Sequence, residues 1–279
     1  MRTAPRTTVP PATGATARPA GPPRIPADQL WRPYADCGRQ CGGDGGPRVG
    51  RLRQVLRAVA GGLVLLLGVL LPWRPDLMAR ALLRALGIRL RVTGPGVTRG
   101  ALLVGNHVSW LDIVVMTALS RRAGRLRMVA KTEVGTWPVI GRIARRQRTI
   151  FVDRARPRAL PGTVAQVAAA LRAGQVVQVF PEGTTTCGPH PVPWRAAFLQ
   201  AAVDAGAPVQ TFTLRYAHPA AGFVGDDTLV ASLRRVLAAR GMAAAVLLGV
   251  PRPADSTRRE LAARLSFADL PGAWPQAGR

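Results

Sequence analysis

The chain is poor in cysteine, lysine, acidic residues and aromatics, and each shortage excludes something. Three cysteines in 279 residues, Cys37, Cys41 and Cys187, argue against a disulfide framework. No second Cys or His pair follows Cys37 and Cys41 to complete a zinc site, so both read as incidental residues of a flexible tail. Aromatics make up 5%, and no nucleic-acid module is recognisable. The G-x-S-x-G elbow of serine hydrolases is missing too. Only 14 residues are acidic against 39 basic, a formal charge of +25, and all the basic residues but Lys131 are arginine. That surplus suits an anionic partner such as phospholipid headgroups, nucleic acid or a phosphorylated substrate. The abundance of Ala, Gly and Pro beside it also fits coding bias in a GC-rich genome, and both explanations stand.

What is present divides the chain into four parts. Residues 1–50, rich in Pro, Gly and Arg, have no apolar periodicity and are expected to be a disordered tail. No apolar core follows the N-terminal basic residues, so this is not a signal peptide. Residues 51–89 hold sixteen uncharged residues, AVAGGLVLLLGVLLPW, between Arg57 and Arg74. A perpendicular span needs about 20 apolar residues, and Gly61, Gly62 and Gly68 weaken this one further. After Pro72 and Pro75, LMARALLRALGI repeats apolar residues at helical spacing with Arg80 and Arg84 on another side. A membrane-associated helical hairpin dipping into one leaflet is the expectation, with a buried soluble helix as the alternative. Residues 90–265 alternate strand-like runs (ALLVG, RMVA, TIFV, VVQVF, VQTFTLRY, AAAVLLGV) with helical ones. This predicts an α/β domain whose mixed, largely parallel sheet is covered by helices. Residues 266–279 read as a flexible tail.

Two segments carry chemistry. NHVSWLD follows a strand and opens a helix, where α/β folds place ligands. His107 suits proton removal near neutral pH, and Asp112 could hold its tautomer and stabilise the imidazolium. Five residues turn through roughly 500° on a regular helix, leaving the side chains about 140° apart. The pair can meet only if His107 lies before the helix and curls over its first turn. Ser109-Trp110-Leu111-Asp112 is equally an S-x-x-D capping box, in which Asp112 merely caps the helix. The second segment, VVQVFPEGTTT, is a strand running into a turn. Glu182 would accept from ligand hydroxyls, Gly183 would let the backbone approach a ligand, and Thr184 to Thr186 would offer hydroxyls and amides to an anion. In isolation it could be a solvated turn.

Together, NHxxxxD and FPEGT some seventy residues later resemble the glycerolipid acyltransferase family, which includes bacterial 1-acylglycerol-3-phosphate acyltransferases. TIFVDR looks like that family's second block, ending in Arg154. APV (207–209) looks like its fourth, and AKTEVGTWPVIGRIAR, with Lys131, resembles its lysine-containing stretch. The resemblance covers about residues 50–250. It implies that His107 is the general base on a lysolipid hydroxyl and that Asp112 orients it. Glu182, Gly183 and Thr184 would bind the acceptor's polar head, and Lys131 and Arg154 its phosphate. It implies no metal or other cofactor, acyl-CoA or acyl-carrier protein as donor, and a place on the cytoplasmic face of the cell membrane among its lipids, with no nucleic-acid partner.

One departure limits the acceptor. Many glycerolphosphate-specific relatives carry Arg directly after EGT; here that residue is Thr185. The later Pro-Phe-Lys becomes Pro193-Trp194-Arg195, so Arg195 retains a cation for the substrate. FPEGTTT with PWR also looks like the branch that acylates lyso-ornithine lipids. Lysophosphatidate is the first expectation and lyso-ornithine lipid the alternative. A thioesterase or hydrolase using the same pair, and a non-enzymatic basic lipid-binding protein, complete the set.

Overall fold

A computed structural model of the chain describes residues 37, 45–70, 74–120, 126–187, 192–223 and 227–265. The described residues form a seven-stranded sheet: β1 (Arg89–Thr93), β2 (Leu102–Gly105), β3 (Leu126–Lys131), β4 (Ile150–Val152), β5 (Val176–Val179), β6 (Val209–Tyr216) and β7 (Ala243–Leu248). Its order is β1-β7-β6-β2-β5-β3-β4. Strands β6, β2, β5, β3 and β4 are parallel. β7 runs against β6, and β1 follows β7. The expected mixed, largely parallel sheet is therefore present. β2 and β5 at its centre are buried along their whole length, as continuous apolar runs covered on both faces must be. β1 was not foreseen as a strand. RLRVT alternates Arg with apolar residues, and on an edge that pattern gives a strand with one half-buried face.

Helices cover both faces. One core packs α2 (Pro75–Ala85), α3 (Leu111–Thr117) and α8 (Leu229–Ala238) on the sheet through Leu83, Met116 and Val236. The other packs α6 (Leu160–Arg172), α7 (Leu199–Ala205) and α9 (Arg258–Leu265) through Val167, Leu199 and Leu261. The predicted stop of α6 at Gly174 is realised by its left-handed φ of 71°. The lysine-containing stretch forms two short helices, α4 (Thr132–Thr136) and α5 (Ile140–Arg146).

Helix α1 (Arg51–Leu70) packs against α2 as a hairpin, with Gly61 and Gly68 facing Leu82 and Met78. It is long and apolar enough to cross a membrane by length and composition. Gly61 is its one buried residue, and Leu56, Leu63 and Leu70 are 59%, 56% and 62% exposed. The Arg57 guanidinium fixes the hairpin to the domain by donating to the carbonyls of Leu237 and Ala239 (2.9 and 2.7 Å) at the end of α8.

The tail reading needs correction where it can be compared. Arg48 bridges Ala239, and the Val49 amide donates to the Ala238 carbonyl (2.8 Å), so the end of the 1–50 segment is packed on the domain. Cys37 is buried, its Sγ 3.4 Å from that of Cys187 and within reach of the Cys187 amide (3.3 Å). Long-range packing, which cysteine spacing does not reveal, gives Cys37 a place in the fold. The rest of that segment, Cys41 included, and the tail at 266–279 lie outside the described residues.

Candidate active site

Parallel strands deliver their following turns to one edge of the sheet, and this edge gathers the chemistry. β2 ends at Gly105 and hands over to His107; β3 ends at Lys131; β4 leads through Asp153 to Arg154; β5 leads into Phe180-Pro181-Glu182. α3 begins at Leu111, so His107 precedes it and folds back over its first turn. His107 Nδ1 lies 2.8 Å from Asp112 Oδ2. The same oxygen accepts the amides of Val108 (2.7 Å) and Ser109 (3.0 Å), while Ser109 Oγ accepts the Leu111 amide (3.3 Å). The capping box and the His–Asp pair, alternatives on sequence grounds, are one structure built on a single carboxylate oxygen. Asp112 is fully buried. Nε2 is the ring nitrogen not taken by Asp112, and the side chain is 19% exposed on the wall of a cavity.

The second segment frames that histidine from three directions. Phe180 stacks on its ring at a centroid distance of 3.9 Å and an interplanar angle of 11°. Glu182 Oε2 accepts the His107 amide (2.8 Å), and the Thr186 amide donates to the His107 carbonyl (2.7 Å). Gly183 takes a left-handed φ of 70° that closes the turn, its amide donating to the Phe180 carbonyl (3.0 Å). Burial is the main cause that pushes the Glu182 carboxyl up to about 8; the His107 amide opposes this and the charge of Asp112 adds to it. Its Oε1 has no hydrogen-bond partner.

The cavity measures about 1330 Å³. Toward the hairpin it is lined by Leu65, Gly68, Met78 and Leu82, with Arg57 and Arg146 beside them. Past His107 it meets Lys131, Arg154, Gly183, Thr184, Thr185 and Arg195. Burial, with repulsion from Arg195, lowers the pKa of Arg154, and Glu133 acts the other way. The Arg195 amide donates to the Pro181 carbonyl (2.8 Å), which ties the PWR segment to the Glu182 turn. The expected substrate contacts thus border one cavity, Glu182 excepted. At 1% exposure Glu182 sits behind the wall, and its carboxyl holds main chain where a headgroup contact was expected. Among the described residues no group of three or more His, Cys, Asp or Glu could hold a metal.

The chain is similar to known proteins across this region. Residues 89–215 match the family model described as Acyltransferase. The lyso-ornithine lipid O-acyltransferase of Brucella abortus is 34% identical over 210 residues, 67% of this chain and 77% of that protein. This chain belongs to the acyltransferase family. The lyso-ornithine lipid O-acyltransferase of Rhodobacter capsulatus is 32% identical over 251 residues, 78% of this chain and 89% of that protein. A 1-acyl-sn-glycerol-3-phosphate acyltransferase of Neisseria meningitidis is 38% identical over 141 residues, half of this chain and 54% of that protein's length. The crystal structure of the 1-acyl-sn-glycerophosphate acyltransferase PlsC from Thermotoga maritima shares the fold, with a TM-score of 0.52 at 19% identity. The match covers 77% of this chain and 90% of that one.

Within this acyltransferase domain, three residues of the site escaped sequence reasoning. Asn106 clamps β6, its Nδ2 donating to the Leu214 carbonyl (2.9 Å) and its Oδ1 accepting the Leu214 amide (2.7 Å). Tyr216 donates its hydroxyl to Asp112 Oδ1 (2.5 Å). Phe180 lay inside a recognised segment, yet nothing local says that its ring faces His107.

Proposed function

We propose that this protein transfers a fatty acyl chain from a thioester donor, acyl-CoA or acyl-carrier protein, to the hydroxyl of a lysolipid. The observation that carries this reading is the buried Asp112 carboxylate on His107 Nδ1, which leaves Nε2 at a cavity lined both by apolar side chains of the hairpin and by Lys131, Arg154 and Arg195. His107 Nε2 takes the acceptor's hydroxyl proton as its oxygen attacks the thioester carbonyl. Asp112 holds the tautomer and offsets the imidazolium charge. The tetrahedral oxyanion collapses, the C–S bond breaks, and the departing thiolate takes the proton back. The apolar side chains suit acyl chain, and Lys131, Arg154 and Arg195 suit an anionic headgroup. The first acceptor is 1-acylglycerol-3-phosphate, whose phosphate those cations match. Lyso-ornithine lipid is the second reading, favoured by Thr185 on the cavity wall in place of Arg.

The same reading puts the exposed apolar face of α1 in the cytoplasmic leaflet of the cell membrane, where lysolipid enters the cavity laterally. α5 packs on α1, and Trp137, Val139 and Ile140 ahead of and at its start add exposed apolar surface. Leu56→Glu with Leu63→Glu lowers co-flotation with phosphatidylglycerol vesicles roughly tenfold or more. Unchanged flotation removes α1 from the membrane.

Activity is tested by offering purified protein labelled acyl-CoA or acyl-carrier protein with a panel of lysolipids. His107→Ala lowers turnover on the true acceptor by roughly 10²–10⁴-fold. Near-wild-type turnover in that variant rules out the base. Thiol release that is as fast without acceptor as with it makes the protein a hydrolase.

A further inference from the structure

The catalytic pair has a third member that arrives from the neighbouring strand β6. Asp112 Oδ2 is saturated by His107 Nδ1 and the amides of Val108 and Ser109. Oδ1 faces inward, and its partner is the hydroxyl of Tyr216, 2.5 Å away at the end of β6. Both residues are buried, so no water is on hand to replace that donor.

The strand is held so that this contact is reproducible. β6 pairs with β2 on one side and β7 on the other, with Tyr216 opposite Ala244. Asn106, the first residue of NHVSWLD, clamps both main-chain groups of Leu214. Side chains two apart on a strand share a face, so the register that places Leu214 also places Tyr216 toward Asp112. The NHVSWLD segment thus carries the base before α3 and its carboxylate in the first turn of α3, and also fixes the strand that supplies the carboxylate's last donor.

We propose that Tyr216 is a positioning residue for the acyl-transfer reaction, holding the Asp112 carboxylate in the rotamer that faces His107 and drawing charge from it. This rests on the acyltransferase reading of the site. The hydroxyl does not act as an acid: burial first, then the charge of Asp112, raise its pKa well above the phenol's ordinary value. Its part is to donate. A donor on Oδ1 lowers the pull of Asp112 on the imidazolium proton, so removing the donor strengthens that pull. The titratable groups packed here are Asp112 on α3, His107 ahead of it, Tyr216 on β6 and Glu182 after β5, whose carboxyl senses the charge of Asp112.

The experiment is Tyr216→Phe, which deletes one oxygen, assayed beside wild type on the acceptor the panel identifies. Expected are a roughly tenfold lower kcat, a nearly unchanged KM, and an acidic limb of the kcat/KM profile moved to higher pH. Because Glu182 senses Asp112, the pair is compared again with Glu182→Gln in both proteins, which removes its titration. In an Asp112→Asn background, Tyr216→Phe costs little more, because the two act as one unit. A wild-type kcat with an unmoved limb, or the same proportional loss in both backgrounds, overturns the proposal. The chain has two tyrosines, so 3-fluorotyrosine incorporated in a Tyr34→Phe background reports on Tyr216 without removing the ring. Its stronger donor moves the limb to lower pH, and a limb that stays put or rises refutes the proposal even if Tyr216→Phe misfolds. Wild type inactive on every lysolipid defeats the acyltransferase reading itself, a result distinct from these.

Discussion

Two carboxylates meet His107, and their surroundings differ. Asp112, in the first turn of α3, collects four donors: an imidazole, two amides and a phenol. Glu182, in the turn after β5, accepts one amide on Oε2 and has nothing on Oε1. Both are at most 1% exposed, so burial alone does not separate them. The count of donors does. A buried carboxylate survives as an anion where hydrogen bonds replace its water, and otherwise takes up a proton. Glu182 follows the second course, its pKa pushed up to about 8. Their bonds to His107 differ as well: Asp112 takes the ring, and Glu182 accepts the backbone amide.

The largest effect comes from removing the charge while keeping the shape. Asp112→Asn must turn its one oxygen either to the two amides and the imidazole or to Tyr216, and in both cases the imidazolium loses its anion. A fall of roughly 10³–10⁴-fold in kcat is expected, with KM little changed. Steady-state kinetics on the identified acceptor checks it. A loss below tenfold means that Asp112 serves the helix cap alone.

The part of this comparison that lies close in sequence was legible, and the part that lies far apart was not. His107 and Asp112 are five residues apart, and the capping pattern around Ser109 already forces the chain to curl. Strand β6 was readable from its apolar run. That its Tyr216 reaches Asp112 from 104 positions away was not, because β6 lies beside β2 only through the sheet order. Glu182 was found by its turn, but its hold on the His107 amide was not. A Glu before Gly looks like a solvent-facing ligand contact until β5 is placed beside β2 and the His107 amide, 75 positions back, falls within its reach. The same holds for Cys37 and Cys187, 150 apart. The apolar run of the hairpin was legible from composition, whereas the exposure of one face of α1 among the described residues was not.

Glu182→Ala tests the other carboxylate with a smaller effect. It strands the His107 amide in a part-buried position and frees the loop from the β5 turn. An unpaired amide costs about 1–3 kcal/mol. If half or more of this falls on the transition state, kcat drops by roughly two- to a hundredfold, less than for Asp112→Asn. Kinetics and a thermal melt on one preparation divide the loss between catalysis and stability.

Glu182→Gln has the smallest effect on turnover and separates the two carboxylates most sharply. Glutamine matches the neutral acid in shape and still offers an oxygen to the His107 amide, so kcat stays within roughly fivefold of wild type. Its signature is in stability against pH. The folded-state pKa of Glu182 is raised from an ordinary 4.5 to about 8. Between those values the folded protein holds a proton that the unfolded chain has released, so this group makes wild-type stability decline as pH rises, by up to about 1.4 kcal/mol per pH unit. Below the lower value both states are protonated and the decline has not begun; above the upper value it is complete. Glutamine has no such proton. Chemical denaturation at a series of pH values therefore shows Glu182→Gln gaining on wild type from about pH 5 to pH 8 and then holding its lead. A constant difference across that range means that Glu182 is ionised in the fold. The contrast between a carboxylate with four donors and a carboxylic acid with one would then have to be abandoned.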